Sequence, residues 1–210
     1  MRIVWSAAAA LCVAVLATGC TTTGGPRSVP DLSAKALPAA EFGTGAMVVA
    51  SGQIPNIVSD ITLRPVRGDV VPARCTPAGV DDDTAVVVFA PGPTETSTLT
   101  ELVARTDESL DDLARAATGC ATFRGGATGQ LEVASTVVDP PGESGGVARM
   151  RLRRSLRSPG IETVTTLDQW IAQRDDLRVL VQLRATGPVP DTAHETAAAL
   201  FETAVRRAFR

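Results

Sequence analysis

Between residues 147 and 156 apolar and basic side chains alternate: Ala148, Met150 and Leu152 against Arg149, Arg151 and Arg153. A period of two sends successive side chains to opposite faces of an extended chain, so this segment predicts a strand with one buried face. A lone strand is not stable in water and needs a sheet around it. Downstream partners are residues 161–166, running on toward Trp170, and residues 177–185, with Arg174-Asp175-Asp176 as the turn between them. Upstream, residues 131–138 end at Asp139-Pro140-Pro141, and the β-branched run 84–90 ends at Pro91-Gly92-Pro93. Residues 46–50 and 57–66 are weaker strand candidates.

Two segments read as helices. Thr98 with Glu101 forms a capping box ahead of residues 98–118. There Leu99, Leu102, Val103, Thr106, Leu110, Leu113 and Ala117 fall on one stripe, and Gly119 supplies the stop. Pro190-Asp191 opens a last helix, with Thr192 and Glu195 as caps and Ala197, Leu200, Phe201, Ala204, Val205 and Phe209 facing inward. The expected architecture is α+β: an antiparallel β-sheet packed by a long central helix and a C-terminal helix.

The N-terminus carries a different message. Arg2 precedes an apolar stretch, and Leu16-Ala17-Thr18-Gly19-Cys20 places small residues ahead of a cysteine, the layout of an export signal. This resembles the lipobox of bacterial lipoproteins. The resemblance implies cleavage before Cys20, a thioether diacylglycerol on its sulfur and acylation of the new amino terminus. Residues 1–19 then form a signal peptide. Residues 20–36, rich in Thr, Gly, Pro and Ser, form a lipidated flexible tether, and residues 37–210 form one domain. Cys12 leaves with the signal and Cys20 takes the lipid, so Cys75 and Cys120 remain. In an exported domain they are expected to pair as a disulfide. Two free thiols or a metal site are the alternatives; a single histidine and no Cys-x-x-Cys argue against zinc.

The formal net charge of −3 argues against nucleic-acid binding, and 3% aromatic residues with no tyrosine leave little surface for stacking on bases or sugars. Gly142-Glu143-Ser144-Gly145-Gly146 fits the Gly-x-Ser-x-Gly pattern of serine hydrolases, and Ser144, Asp175 and His194 could fill a triad in that order. The strand expected after Ser144, where a nucleophile elbow needs a helix, argues against it. Asp81-Asp82-Asp83 lacks the spaced oxygen ligands of a calcium loop and reads as a turn. Trp170 reads as core. No catalytic set, resident metal or cofactor is expected.

The arginines are the suggestive feature. Period-two spacing puts Arg149, Arg151 and Arg153 on one sheet face, with Arg154 and Arg157 close by, where guanidinium forks can hold phosphate or carboxylate. The competing account is cross-strand pairing with carboxylates such as Glu132 or Glu162.

Pro72-Ala73-Arg74-Cys75, then a strand, a helix and Cys120, then strands and a closing amphipathic helix, is similar to a group of small actinobacterial lipoproteins. Their domain resembles the extracellular sensor domain of a mycobacterial receptor Ser/Thr kinase, although one cysteine pair stands here where that domain generally carries two. The resemblance implies a sensor-like fold with no assigned ligand. The sequence thus points to a non-enzymatic binding or interaction module, anchored at the extracytoplasmic face of the cell membrane. Its expected partners are the membrane itself, through the lipid, and an envelope protein or anionic lipid. A secreted hydrolase using Ser144 and a carrier holding an apolar lipid between sheet and helices are the alternatives.

Overall fold

The structure, a computed structural model, describes residues 31–126 and 128–210. Cys20, the signal segment and most of the tether lie outside the described residues. Eight strands form one antiparallel sheet: β1 (Met47–Val48), β2 (Asp81–Pro91), β3 (Ser97–Arg105), β4 (Thr122–Gly125), β5 (Leu131–Ser144), β6 (Val147–Arg157), β7 (Thr165–Arg174) and β8 (Leu177–Thr186). Their spatial order is β1-β2-β3-β8-β7-β6-β5-β4. Among the described residues three α-helices accompany them: α1 (Ile54–Thr62), α2 (Leu110–Gly119) and α3 (Asp191–Ala208). The α+β architecture is as expected. Among the described residues, however, the longest helix is the C-terminal α3 of 18 residues, while the central α2 has 10.

That difference traces to residues 98–105, which are strand β3 and not the front of a long helix. β3 lies inside the sheet between β2 and β8, buried on both faces. Leu99 and Val103 point to one face while Leu102 and Ala104 point to the other. A strand covered on both sides loses its polar–apolar alternation, and the apolar residues of β3's two faces together imitate a helical stripe. Thr98 pairs with Arg184 of β8 and caps nothing. The cap of α2 is Ser109, whose hydroxyl accepts a hydrogen bond from the Asp112 N–H at 3.1 Å.

A second correction concerns residues 57–66, expected as strand. Helix α1 covers much of this stretch; Ile54, Val58 and Ile61 bury one helical stripe, Pro55 sits in the first turn, and Leu63 ends the helix in a left-handed conformation. The strand expected from residue 161 starts at Thr165. β5 runs past its expected end through Pro140 and Pro141. Among the described residues its outer edge is unpaired beyond the short β4, so the missing proline N–H groups cost no ladder bond there.

The sheet has two covered faces. On the first, α3 buries Ala193, Ala197, Phe201, Ala204 and Val205 against Val103, Trp170, Val181 and their neighbours. Leu32, Ala36, Leu37 and Phe42 join the same cluster, so packing begins ahead of Leu37, within the stretch read as tether. On the second face α1 and α2 lie over Val87, Leu102, Leu152, Ile171 and Leu180. A disulfide joins Cys75 to Cys120, with Cα atoms 5.5 Å apart, and ties the approach to β2 to the end of α2. Among the described residues no helix is long and apolar enough to cross a membrane.

Candidate functional site

Strand β6 carries Arg149, Arg151, Arg153 and Arg157 on the first face of the sheet, opposite Ala172, Trp170 and Asp168 of β7 for the first three. α3 packs over β8 and reaches β7, and among the described residues no helix packs chiefly on the outer strands of this face. Asp168 is the hub. Its side chain is 1% exposed, and its two oxygens are divided between two arginines. Arg151 Nε donates to Oδ1 at 3.2 Å, and Arg153 Nε and Nη2 donate to Oδ2 at 3.1 and 2.8 Å. His194 of α3 brings Nδ1 to 3.3 Å from Oδ2 without completing a hydrogen bond. The Arg151 guanidinium also stacks over the Trp170 ring, 4.6 Å from its centroid. Arg149 is taken up separately, through two hydrogen bonds of 2.8 and 3.0 Å from Nη1 to Glu202 of α3.

The expected arginine face is therefore formed, and so is the competing carboxylate pairing. The partners are Asp168 and Glu202 rather than Glu132 or Glu162. Two guanidiniums share one carboxylate at Asp168, so one positive charge is left over, with N–H donors of Arg151 and Arg153 uncommitted. Arg153 is 43% exposed, which keeps those donors within reach of a solute. Beyond it the same face continues into an open groove of about 610 Å³ lined by Thr122, Arg124, Glu132, Ala134, Ser155 and Arg157. In the strand register Glu132 stands opposite both Arg124 and Arg157, yet among the described residues neither arginine reaches ion-pair distance of a carboxylate.

The other sequence candidates fall elsewhere. Ser144 closes a tight hairpin with Val147 around Gly145 and Gly146, both at positive φ, and the next element is a strand. His194 faces Asp168, which lies about 20 Å along the extended chain from Asp175 at seven strand residues' rise. Ser144, Asp175 and His194 do not form a triad. Asp81 turns its carboxylate onto its own neighbours, accepting from the Asp83 N–H and the Thr84 hydroxyl. Arg154 leaves the arginine row for the second face, where it is buried. The space found there between sheet and helices is about 30 Å³, room for one or two waters and not for an acyl chain.

Asp168 and Glu202 were not singled out from the sequence. Asp168 sits two residues before Trp170 in an alternating segment, which puts both on one face. That it meets Arg153 depends on the β6–β7 register, which no local pattern states. Glu101, read as half of a cap, is instead a buried carboxylate whose Oε2 accepts the Leu37 N–H at 2.9 Å.

No protein-family model matches the chain, and no curated protein matches it. Among solved structures the chain is similar to an uncharacterised protein of Mycobacterium smegmatis, the Rv0999 ortholog. The two are 14% identical, the match covers 78% of this chain and 85% of that one, and the TM-score is 0.46. It is also similar to the extracellular domain of PknH from Mycobacterium tuberculosis, at 9% identity, 76% and 98% coverage and a TM-score of 0.35.

Proposed function

We propose that the chain is an exported, lipid-anchored, non-enzymatic binding module that engages anionic groups through the open half of its first sheet face. One observation carries this reading: Arg151 and Arg153 are held rigid by a single buried carboxylate, Asp168, with charge and donors left over. A clamp of that kind reduces the side-chain entropy lost when a guanidinium binds phosphate or carboxylate. On a domain tethered through Cys20 the nearest such groups are lipid headgroups and acidic envelope proteins. Each basic residue near an anionic surface contributes about 1 kcal/mol there.

Two measurements test the two halves of the proposal. Cys20→Ala should move the protein from the membrane to the soluble fraction of cells; unchanged fractionation rules out the anchor. A chain beginning at Asp31 should sediment with phosphatidylglycerol vesicles at low salt and release as ionic strength rises. The combined Arg149→Gln, Arg151→Gln, Arg153→Gln variant should lose that binding. Equal sedimentation of variant and wild type removes the arginine face from the account.

A further inference from the structure

The second face of the sheet holds a charge that the arginine face does not use. Arg154 lies under the C-terminus of α1, 6% exposed. Its Nη1 approaches the carbonyl oxygens of Ile61 and Thr62 and Oε1 of Gln169 at 3.3 to 3.4 Å. These are long for bonds from a cation. Its Nε is buried with no partner, and among the described residues no carboxylate is within ion-pair reach of it. A second buried arginine, Arg178, is satisfied: Nη1 meets Glu108 Oε2 at 3.2 Å, Nη2 donates to the Glu108 carbonyl, and Nε donates to Gln173.

Arg154, Arg178 and Glu108 line one cavity of about 30 Å³, floored by Leu102, Ile171 and Leu180. Two guanidiniums face one carboxylate there, so the cavity carries one uncompensated positive charge against apolar walls. Such a charge is costly to bury without a counter-charge. Loss of a proton does not remove it. Burial pushes the Arg154 guanidinium down only to about 10, so it stays charged at neutral pH. Burial also lowers Arg178, opposed by Glu108.

We propose that this cavity binds one small monovalent anion of the chloride class, on the free Nε–H of Arg154. Size and charge select the ligand together. The cavity has room for one or two water-sized particles, which admits a halide and excludes sulfate, phosphate or a lipid carboxylate with its chain. A single negative charge balances the excess, and a neutral water does not.

The test is thermal unfolding of the purified full chain in sodium chloride and in sodium gluconate at equal ionic strength, which separates occupancy from screening. Chloride should raise Tm by several degrees and saturate, with bromide able to replace it. Arg154→Met should erase the difference between the salts. Glu108→Gln, which leaves two positive charges facing the cavity, should enlarge it. If Arg154→Met fails to fold, chlorine NMR on the wild-type chain decides: line broadening that bromide competes away supports the site. Equal Tm in the two salts, absent broadening, or a chloride effect undiminished in Arg154→Met each overturns the proposal; with the first two the cavity holds water.

Discussion

Glu101 carries the clearest pH signature of any residue described. It lies on β3 beneath the segment around Leu37, with Oε2 bonded to the Leu37 N–H and Oε1 buried without a partner. Burial raises its carboxyl from 4.5 to about 7, against the lowering effects of that hydrogen bond and of Arg207. Below pH 4.5 the group is neutral in both folded and unfolded chains, and its burial costs no ionisation. Between pH 4.5 and about 7 the unfolded chain sheds a proton that the folded chain retains, so stability falls as pH rises. Above pH 7 the loss is complete, on the order of 3 kcal/mol. Urea unfolding at pH 5 and pH 8 should register this decline, and Glu101→Gln should flatten it. A variant with the wild-type pH profile would place the titration on another group.

At the scale of elements, β6 and α3 folded as read because each has one dry face and one wet one. β6 alternates because its first face reaches solvent through arginines while its second packs under α1 and α2. α3 has a single buried stripe and starts where Pro190 allows it. Of the misread segments, β3 is dry on both sides, and α1 is a short stripe whose spacing passes for loose alternation. The cystine joins the segment ahead of β2 to the end of α2 across a separation of 45 residues. On the loop-closure model, opening it should cost about 4 kcal/mol through the greater freedom of the unfolded chain. Denaturant unfolding with and without reductant measures this directly. A difference under about 1 kcal/mol would mean that the unfolded chain is already compact there.

The molecule as a whole is lopsided in a useful way. Among the described residues, α3 and residues 31–42 cover one half of the first face, and the other half, from β6 outward, is left largely to polar side chains. The charge of this open half is set chiefly by Asp168, since neutralising it frees two guanidiniums at once. On the proposed anion-binding reading, Asp168→Asn should therefore tighten binding to anionic vesicles while it loosens the local structure. A purely structural role for the cluster predicts loss of stability with unchanged or weaker binding. Vesicle titrations read beside urea unfolding distinguish the two.

Local chemistry in the chain was enough to place strands near β5, β6 and β8, the closing helix and a row of arginines on one side of β6, and to favour the pairing of Cys75 with Cys120. Each of these follows from periodicity, turn residues or compartment, which act over a few neighbours. The partners of those arginines, the burial of Arg154 one residue beyond Arg153, and the strand nature of β3 were settled by which strand lies beside which. Register and two-sided burial are properties of the assembled sheet. They join residues such as Arg153 and Asp168, 15 positions apart in sequence, that carry no mark of one another until the strands meet.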